Sequence, residues 1–301
     1  MTKKFRIGRA LLIALATIAT LVGSASPALA RTSAPDTEMG PMIIGGSPAR
    51  KAWTVSLQDV DPATGLNRHR CGGTLIRPQW VVTAAHCISF GGVNTITPGS
   101  KARIGSLKWN SGGTLATVQK VFVEPHYAQA AVNDIALVKL NRTDQPVDKY
   151  TFSIAEMGPA YSTGIAAGWG TLCDKDILDP ACRRDIPEAL QQLTEQRLPD
   201  HKCSLVDPVL GELFYPASMS CMISADGQNR QACFADSGSP VMQRKYDGAW
   251  KVVGVIIGDG DDAVDPRPYL CSTNPDGGPG KIFVTNIAAH NHWIKQTLAN
   301  N

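Results

Sequence analysis

The octapeptide "CFADSGSP" (233–240) places one serine, Ser237, between Asp236 and Gly238, in a run of small and turn-forming residues suited to a tight loop. Such a serine is either a nucleophile or an ordinary polar loop residue. A hydroxyl attacks well only with a base to take its proton and a third group to orient that base. What this loop does is therefore decided elsewhere in the chain.

Two stretches offer the missing groups. "TAAHC" (83–87) supplies His86 directly after an apolar run, with Cys87 beside it as a possible anchor. "NDIALVKL" (133–140) supplies Asp134 at the head of a second apolar run. Read singly, His86 is equally a structural histidine and Asp134 equally a strand-start or turn residue. Read in order, His86, Asp134 and Ser237 follow one of the convergent serine–histidine–aspartate arrangements.

The surrounding sequence reads as β structure. Short apolar runs such as "WTVSLQDV", "WVVTAA", "ATVQKVFV", "DIALVKL", "AWKVVGVII" and "KIFVTNI" are bounded by Gly, Pro, Asn or Asp. That spacing fits a sandwich or barrel of short antiparallel strands. Only "AAHNHWIKQTLA" (288–299) has a helical pattern. There is no internal repeat, low-complexity block or long linker. The 259 residues from position 43 onward are enough to bury a sizeable core in one or two compact units.

The first thirty residues are laid out as a secretory signal peptide: Lys3, Lys4, Arg6 and Arg9, then "ALLIALATIATLVG", then "ALA" at 28–30. The apolar run is short for a membrane span followed by such a cleavage site. Secretion is the expectation. The leader and the segment to residue 42 hold five basic and two acidic side chains of the chain's 29 and 26, which leaves 24 of each sign from residue 43 onward. The basic balance belongs to the leader, so neither nucleic acid nor an anionic membrane is indicated as a partner. All eight cysteines lie after residue 70 in a chain expected to be exported, and no CxxC pair occurs. Disulfides are the default reading, ahead of free thiols or zinc.

The motifs run in one order: "IIGG" (43–46), "CGGTLI" (71–76), "TAAHC", "DIAL" (134–137), "GWG" (168–170), "DSG" (236–238) and "WIKQTL" (293–298). In that order the chain resembles the chymotrypsin/trypsin-like serine proteases over nearly all of the part after residue 42. The resemblance implies an all-β fold of two six-stranded antiparallel barrels with a C-terminal helix. It places a peptidase domain at 43–301, with a first barrel at 43–157, a second at 158–287 and the helix at 288–301. It implies a catalytic triad of His86, Asp134 and Ser237, and an oxyanion hole from the backbone N–H groups of Ala235 and Ser237. It implies disulfides Cys71–Cys87, Cys203–Cys221 and Cys233–Cys271, leaving Cys173 and Cys182 to pair with each other. It also implies a zymogen: 31–42 is a propeptide, and cleavage before Ile43 frees an ammonium that pairs with Asp236. Protein or peptide substrates follow, with no cofactor and no metal. Met42 precedes Ile43, so the activating protease is not of trypsin-like specificity.

The chain departs from the family in several places. Ala235 stands where glycine is usual. Either it holds a left-handed conformation at a cost of roughly 1–2 kcal/mol, or the peptide flips and an oxyanion donor is lost. Ser239 replaces a second glycine. In the specificity pocket, Gln231 takes the floor position, Ile257 replaces a serine that usually supports the triad aspartate, Asp259 replaces a glycine at the mouth, and Gly280 lines the wall. A neutral Gln231 gives no reason for cleavage after Arg or Lys. The acidic stretch 259–265 is read as a solvated loop rather than a Ca²⁺ site, since it lacks the EF-hand glycine. The family's calcium-loop glutamates are absent too, with Ser106 near the first of those positions. "NRT" (141–143) matches an N-glycosylation acceptor. Two functions remain: a secreted serine endopeptidase, or a weak or inactive homologue that binds a partner protein.

Overall fold

A computed structural model of the protein describes residues 43–301 apart from 62–63, 128–131, 142–145, 176–178, 185, 205, 208–210, 260–269 and 275–276. The expected signal peptide and propeptide, most of the acidic 259–265 stretch and the "RT" of the glycosylation match lie outside the described residues.

The strand-like runs become strands because β-branched and aliphatic side chains can be buried on a pleated surface. Six of them, β1 Val55–Val60, β2 Asn67–Arg77, β3 Trp80–Thr83, β4 Lys101–Ile104, β5 Thr114–Val123 and β6 Ala136–Leu140, form the first barrel. It closes in the order β1-β2-β3-β6-β5-β4, with every pair antiparallel. Leu57, Leu75, Val81, Val82, Ile104, Leu137 and Leu140 are fully buried at its centre. Each such side chain contributes about 1.5–3 kcal/mol by leaving water.

The second barrel uses β7 Thr163–Gly168, β8 Gln191–Arg197, β9 Met219–Ser224, β10 Pro240–Arg244, β11 Trp250–Asp259 and β12 Ile282–Asn286. Its order is β8-β7-β10-β11-β12-β9, and β9 returns to pair with β8. The architecture is therefore two closed six-stranded antiparallel barrels, as the resemblance implies. The described residues begin on the second barrel, where Ser47 and Pro48 pair with Gln192 and Gln191. The chain then builds the first barrel and crosses back: Phe152 N–H donates to Leu75 O at 2.8 Å, and Ala155 N–H to Val252 O at 3.1 Å.

The helical content differs slightly from expectation. The C-terminal segment opens with a 3₁₀ turn, Ile287–His290, before the α-helix proper. A short helix α1, Pro180–Arg184, also forms in the second barrel's long β7–β8 connection. Pro180 suits the first helical position, and the Asp179 carboxylate accepts from Ala181 N–H at 2.8 Å as a cap. The C-terminal helix α2, Asn291–Asn300, buries Ile294 and lays Trp293 and Leu298 against the core. No described helix is long and apolar enough to cross a membrane. The disulfides join Cys71 to Cys87, Cys173 to Cys182, Cys203 to Cys221 and Cys233 to Cys271.

Leu75→Ala leaves a cavity between strands that cannot collapse onto it. The expected loss is about 2–5 kcal/mol of unfolding free energy, read as a lower urea midpoint with an unchanged denaturant slope.

Candidate active site

Asp134 leads into β6 from a turn in which Asn133 adopts a left-handed φ of 54°. Asparagine tolerates this backbone better than most residues. The turn buries the Asp134 carboxylate and aims both oxygens at His86. Oδ1 accepts from the His86 backbone N–H at 2.9 Å, and Oδ2 pairs with the ring Nδ1 at 2.6 Å. A carboxylate accepts only, so Nδ1 carries the proton and the lone pair of the neutral ring is on Nε2. Burial pushes the imidazole pKa down, but the charge and hydrogen bond of Asp134 outweigh it and the net shift is upward.

The second barrel grips the aspartate's own backbone: Thr285 Oγ1 donates to Asp134 O at 3.0 Å. Ile257, where the family usually has a serine, is buried among apolar side chains and offers no such donor. Tyr127 lies within electrostatic reach of Asp134, and burial together with that charge raises its hydroxyl pKa, so it stays neutral.

Ser237 is fixed from both sides. Its carbonyl accepts from Gly72 N–H at 2.7 Å, and Gly238 N–H donates to Ile256 O at 2.8 Å. Gly238 has φ 79°, and a Cβ there would lie 2.2 Å from Thr83 Oγ1 and 2.4 Å from Gly72 O, so the position admits only glycine. Gly72 adjoins Cys71, whose disulfide partner Cys87 adjoins His86. The same short piece of the first barrel thus holds Ser237 and the residue beside His86. The Cys71 and Cys87 sulfurs lie near the His86 ring, but their bond to each other leaves no thiolate for a metal.

Ala235 adopts φ 73°. Of the two conformations open to it, the structure shows the left-handed one. Its carbonyl faces His69 Nε2 at 3.1 Å, and His69 Nδ1 faces Ser56 Oγ at 2.8 Å. A carbonyl cannot donate, so Nε2 carries the hydrogen and Nδ1 accepts from the serine hydroxyl. Burial holds the His69 pKa down at about 4, with the Ala235 carbonyl opposing, so the ring is neutral in ordinary conditions. A neutral hydrogen bond adds about 0.5–1.5 kcal/mol, comparable with the strain at Ala235. The N–H groups of Ala235 and Ser237 enter no backbone hydrogen bond among the described residues.

Asp236 points the other way, into the second barrel. It is fully buried, with Oδ1 accepting from Gly170 N–H at 2.7 Å and Oδ2 from Cys233 N–H at 2.9 Å. Burial pushes its carboxyl up to about 7, against the pull of those two amides. Ile43 is fully buried as well, and Ile44 O accepts from Gln231 N–H at 3.1 Å. The Gln231 amide is occupied by backbone: Nε2 donates to Gly280 O at 2.8 Å, and Oε1 accepts from Ala232 N–H at 2.8 Å. Gly280 has no room for a side chain, since a Cβ would sit 1.9 Å from Cys271 O. Asp259 ends β11, and its side chain lies outside the described residues. Ser106 binds Ser111 O within its own loop at 2.6 Å. Ser239 is fully buried, and its hydroxyl has no hydrogen bond among the described residues.

Sequence reasoning missed three groups here: His69, Thr285 and Glu195. Glu195, on β8, is fully buried, and neither carboxylate oxygen has a hydrogen bond of ordinary geometry. Burial pushes it up to about 8; the nearby Gln231 amide opposes this, while Asp236 and Asp226 add to it. The only signal in the sequence was a charge in the middle of an otherwise strand-like run.

A family model for trypsin matches residues 43–272. The chain is 30% identical over 257 residues to bovine proproteinase E, covering 83% of this chain and 91% of that one. It is 30% identical over 263 residues to human chymotrypsin-like elastase family member 3B, covering 82% and 84%. With the double barrel and the paired His86 and Asp134 already in place, these matches show that the chain belongs to the chymotrypsin/trypsin-like serine protease family.

Proposed function

We propose that the protein is a secreted serine endopeptidase, made as a zymogen and activated by cleavage before Ile43. The observation that supports the reading most is the two-point grip of Asp134 on His86, together with a Ser237 hung from the first barrel by Gly72, whose neighbour Cys71 is bonded to Cys87 beside His86. In this reading His86 Nε2 takes the Ser237 proton as Oγ attacks a peptide carbonyl. Asp134 keeps the ring in the competent tautomer and stabilises the imidazolium that forms. The negative oxygen is received by the N–H groups of Ala235 and Ser237. His86 then returns the proton to the leaving amine, and water repeats the sequence on the acyl-enzyme.

The leader accounts for export, and 31–42 is the propeptide removed on activation. The buried Asp236 carboxyl supports the activation step, because a carboxylate in an apolar interior is stable only with a partner. The Ile43 ammonium set free by cleavage is that partner. Since Met42 contributes the cut bond, the activator accepts an apolar residue rather than Arg or Lys. Substrates are proteins or peptides.

A fluorophosphonate probe is expected to label the protein cleaved at Ile43 and to leave the Ser237→Ala variant unlabelled. Absence of labelling after mass spectrometry has verified the Ile43 terminus would replace this reading with that of a binding homologue.

Glu195 gives a second check on the polar interior. Folded, it keeps its proton to about 8, whereas in an unfolded chain it titrates near 4.5. The folded state therefore holds the extra proton between those values, and unfolding free energy falls as pH rises across that window. His69 slopes the other way at lower pH, so the informative quantity is a difference. In uncleaved Ser237→Ala protein, adding Glu195→Gln is expected to raise stability by an amount that grows from pH 5 to pH 8 and is level above that, measured by urea unfolding.

A further inference from the structure

The peptide unit between Phe234 and Ala235 contains both the Phe234 carbonyl and the Ala235 N–H. A trans peptide is planar, so these two groups point in opposite directions and turn together. Whatever holds the carbonyl also aims the N–H. Here the Phe234 carbonyl accepts from Thr171 N–H at 2.8 Å.

Thr171 is fully buried and is itself held by a closed loop. Its hydroxyl donates to Cys182 O at 2.6 Å and accepts from Cys173 N–H at 3.2 Å, and Cys173 is bonded to Cys182. One residue earlier, Gly170 N–H donates to Asp236. One residue after Cys173, Asp174 accepts from the hydroxyl of buried Ser272. Ser272 adjoins Cys271, whose partner Cys233 opens the nucleophile loop. The nine-residue cysteine spacing thus reaches the loop around Ala235 by two routes.

We propose that the Cys173–Cys182 loop is a positioning element for the oxyanion hole: through Thr171 it fixes the Phe234–Ala235 peptide and so directs the Ala235 N–H toward the reacting carbonyl. An alanine in the left-handed region is strained, so this peptide has a standing tendency to turn over. The loop supplies a restraint that a glycine at position 235 would need less. The inference rests on the peptidase reading for its catalytic meaning, but the ordering of the loop is measurable without catalysis.

Two lesions test it in the Ile43-cleaved protein: Cys173→Ser with Cys182→Ser, and Thr171→Val, which keeps the disulfide. Two readouts are taken, the rate of fluorophosphonate labelling and hydrogen exchange by mass spectrometry over 233–238. Both lesions are expected to slow labelling, up to the 10²–10³-fold typical of losing one oxyanion donor. Both should speed exchange over 233–238 while amides of Val81 and Val82 in the first barrel stay protected. Thr171→Ser, which retains the hydroxyl, is expected to restore both. Wild-type labelling rates and unchanged exchange in the lesioned proteins overturn the proposal. If the disulfide-free protein does not fold, the Thr171→Val and Thr171→Ser pair decides alone. If even the wild type fails to label, the peptidase reading falls, and exchange still decides the loop: faster exchange supports it and unchanged exchange refutes it.

Discussion

A 2.7 Å hydrogen bond from Gly72 N–H to Ser237 O spans the boundary between two barrels that are otherwise separate folding problems. A site split this way works only if the halves hold one register to a fraction of an ångström. The bond achieves this because each end is locked locally. Gly72 lies in β2 beside a disulfide, and Thr83 donates to its carbonyl at 2.8 Å. Gly238 can take its left-handed turn only without a side chain, so the serine loop has one way to sit. Thr54 to Ala167 at 2.6 Å and Thr285 to Asp134 at 3.0 Å repeat the pattern of a buried hydroxyl crossing to the other barrel's backbone. Short hydroxyl donors suit this role, since they satisfy a buried carbonyl while ordering few rotamers.

Much of the fold was legible because its signals are local. Apolar runs bounded by turn residues mark β1, β3, β5, β6, β11 and β12, and the ordered motifs carry the resemblance that implies two barrels. α1 was missed since five residues make no periodicity; only the Asp179-Pro180 pair hinted at it. The candidate site was legible in its identities and not in its supports. Ala235 could be seen to be unusual, yet which of two conformations it takes depends on His69, 166 positions away in sequence. Nothing near "NRHRCGG" distinguishes His69 from a surface histidine, because its meaning comes entirely from tertiary contact. The same holds for Thr285 and for Thr171, whose roles lie in what their backbones and hydroxyls touch across the fold. Glu195 is the inverse case: strand alternation puts it on the buried face with Leu193, although its charge alone would place it outside.

The two barrels differ in what they bury. The first buries mostly aliphatic side chains, with His69 held between Ser56 and the Ala235 carbonyl, and it carries His86 and Asp134 as a hydrogen-bonded pair. The second buries Asp236, Glu195, Gln231 and Ser239 without a cation among the described residues in contact with them. Burial shifts both carboxyls upward, which favours their protonated forms. An interior of this kind is sensitive to any charge delivered to it.

This sensitivity bears on why Thr171, Cys173 and Cys182 are tied together. Asp236 and Ala235 are adjacent and are held by different groups: the Asp236 carboxylate by Gly170 and Cys233, and the Ala235 carbonyl by His69 of the first barrel. A change in the charge state of Asp236 therefore pulls on the backbone that carries the Ala235 and Ser237 N–H groups. Gly170 holds the carboxylate and Thr171 holds the Phe234 carbonyl, so two consecutive residues of one strand exit restrain both sides of that pivot. Closing the segment that follows with a disulfide reduces the entropy it would otherwise spend in letting go. The substitution of alanine for glycine makes the pivot costlier to hold, and the bonds to His69 and Thr171 are placed where that cost arises.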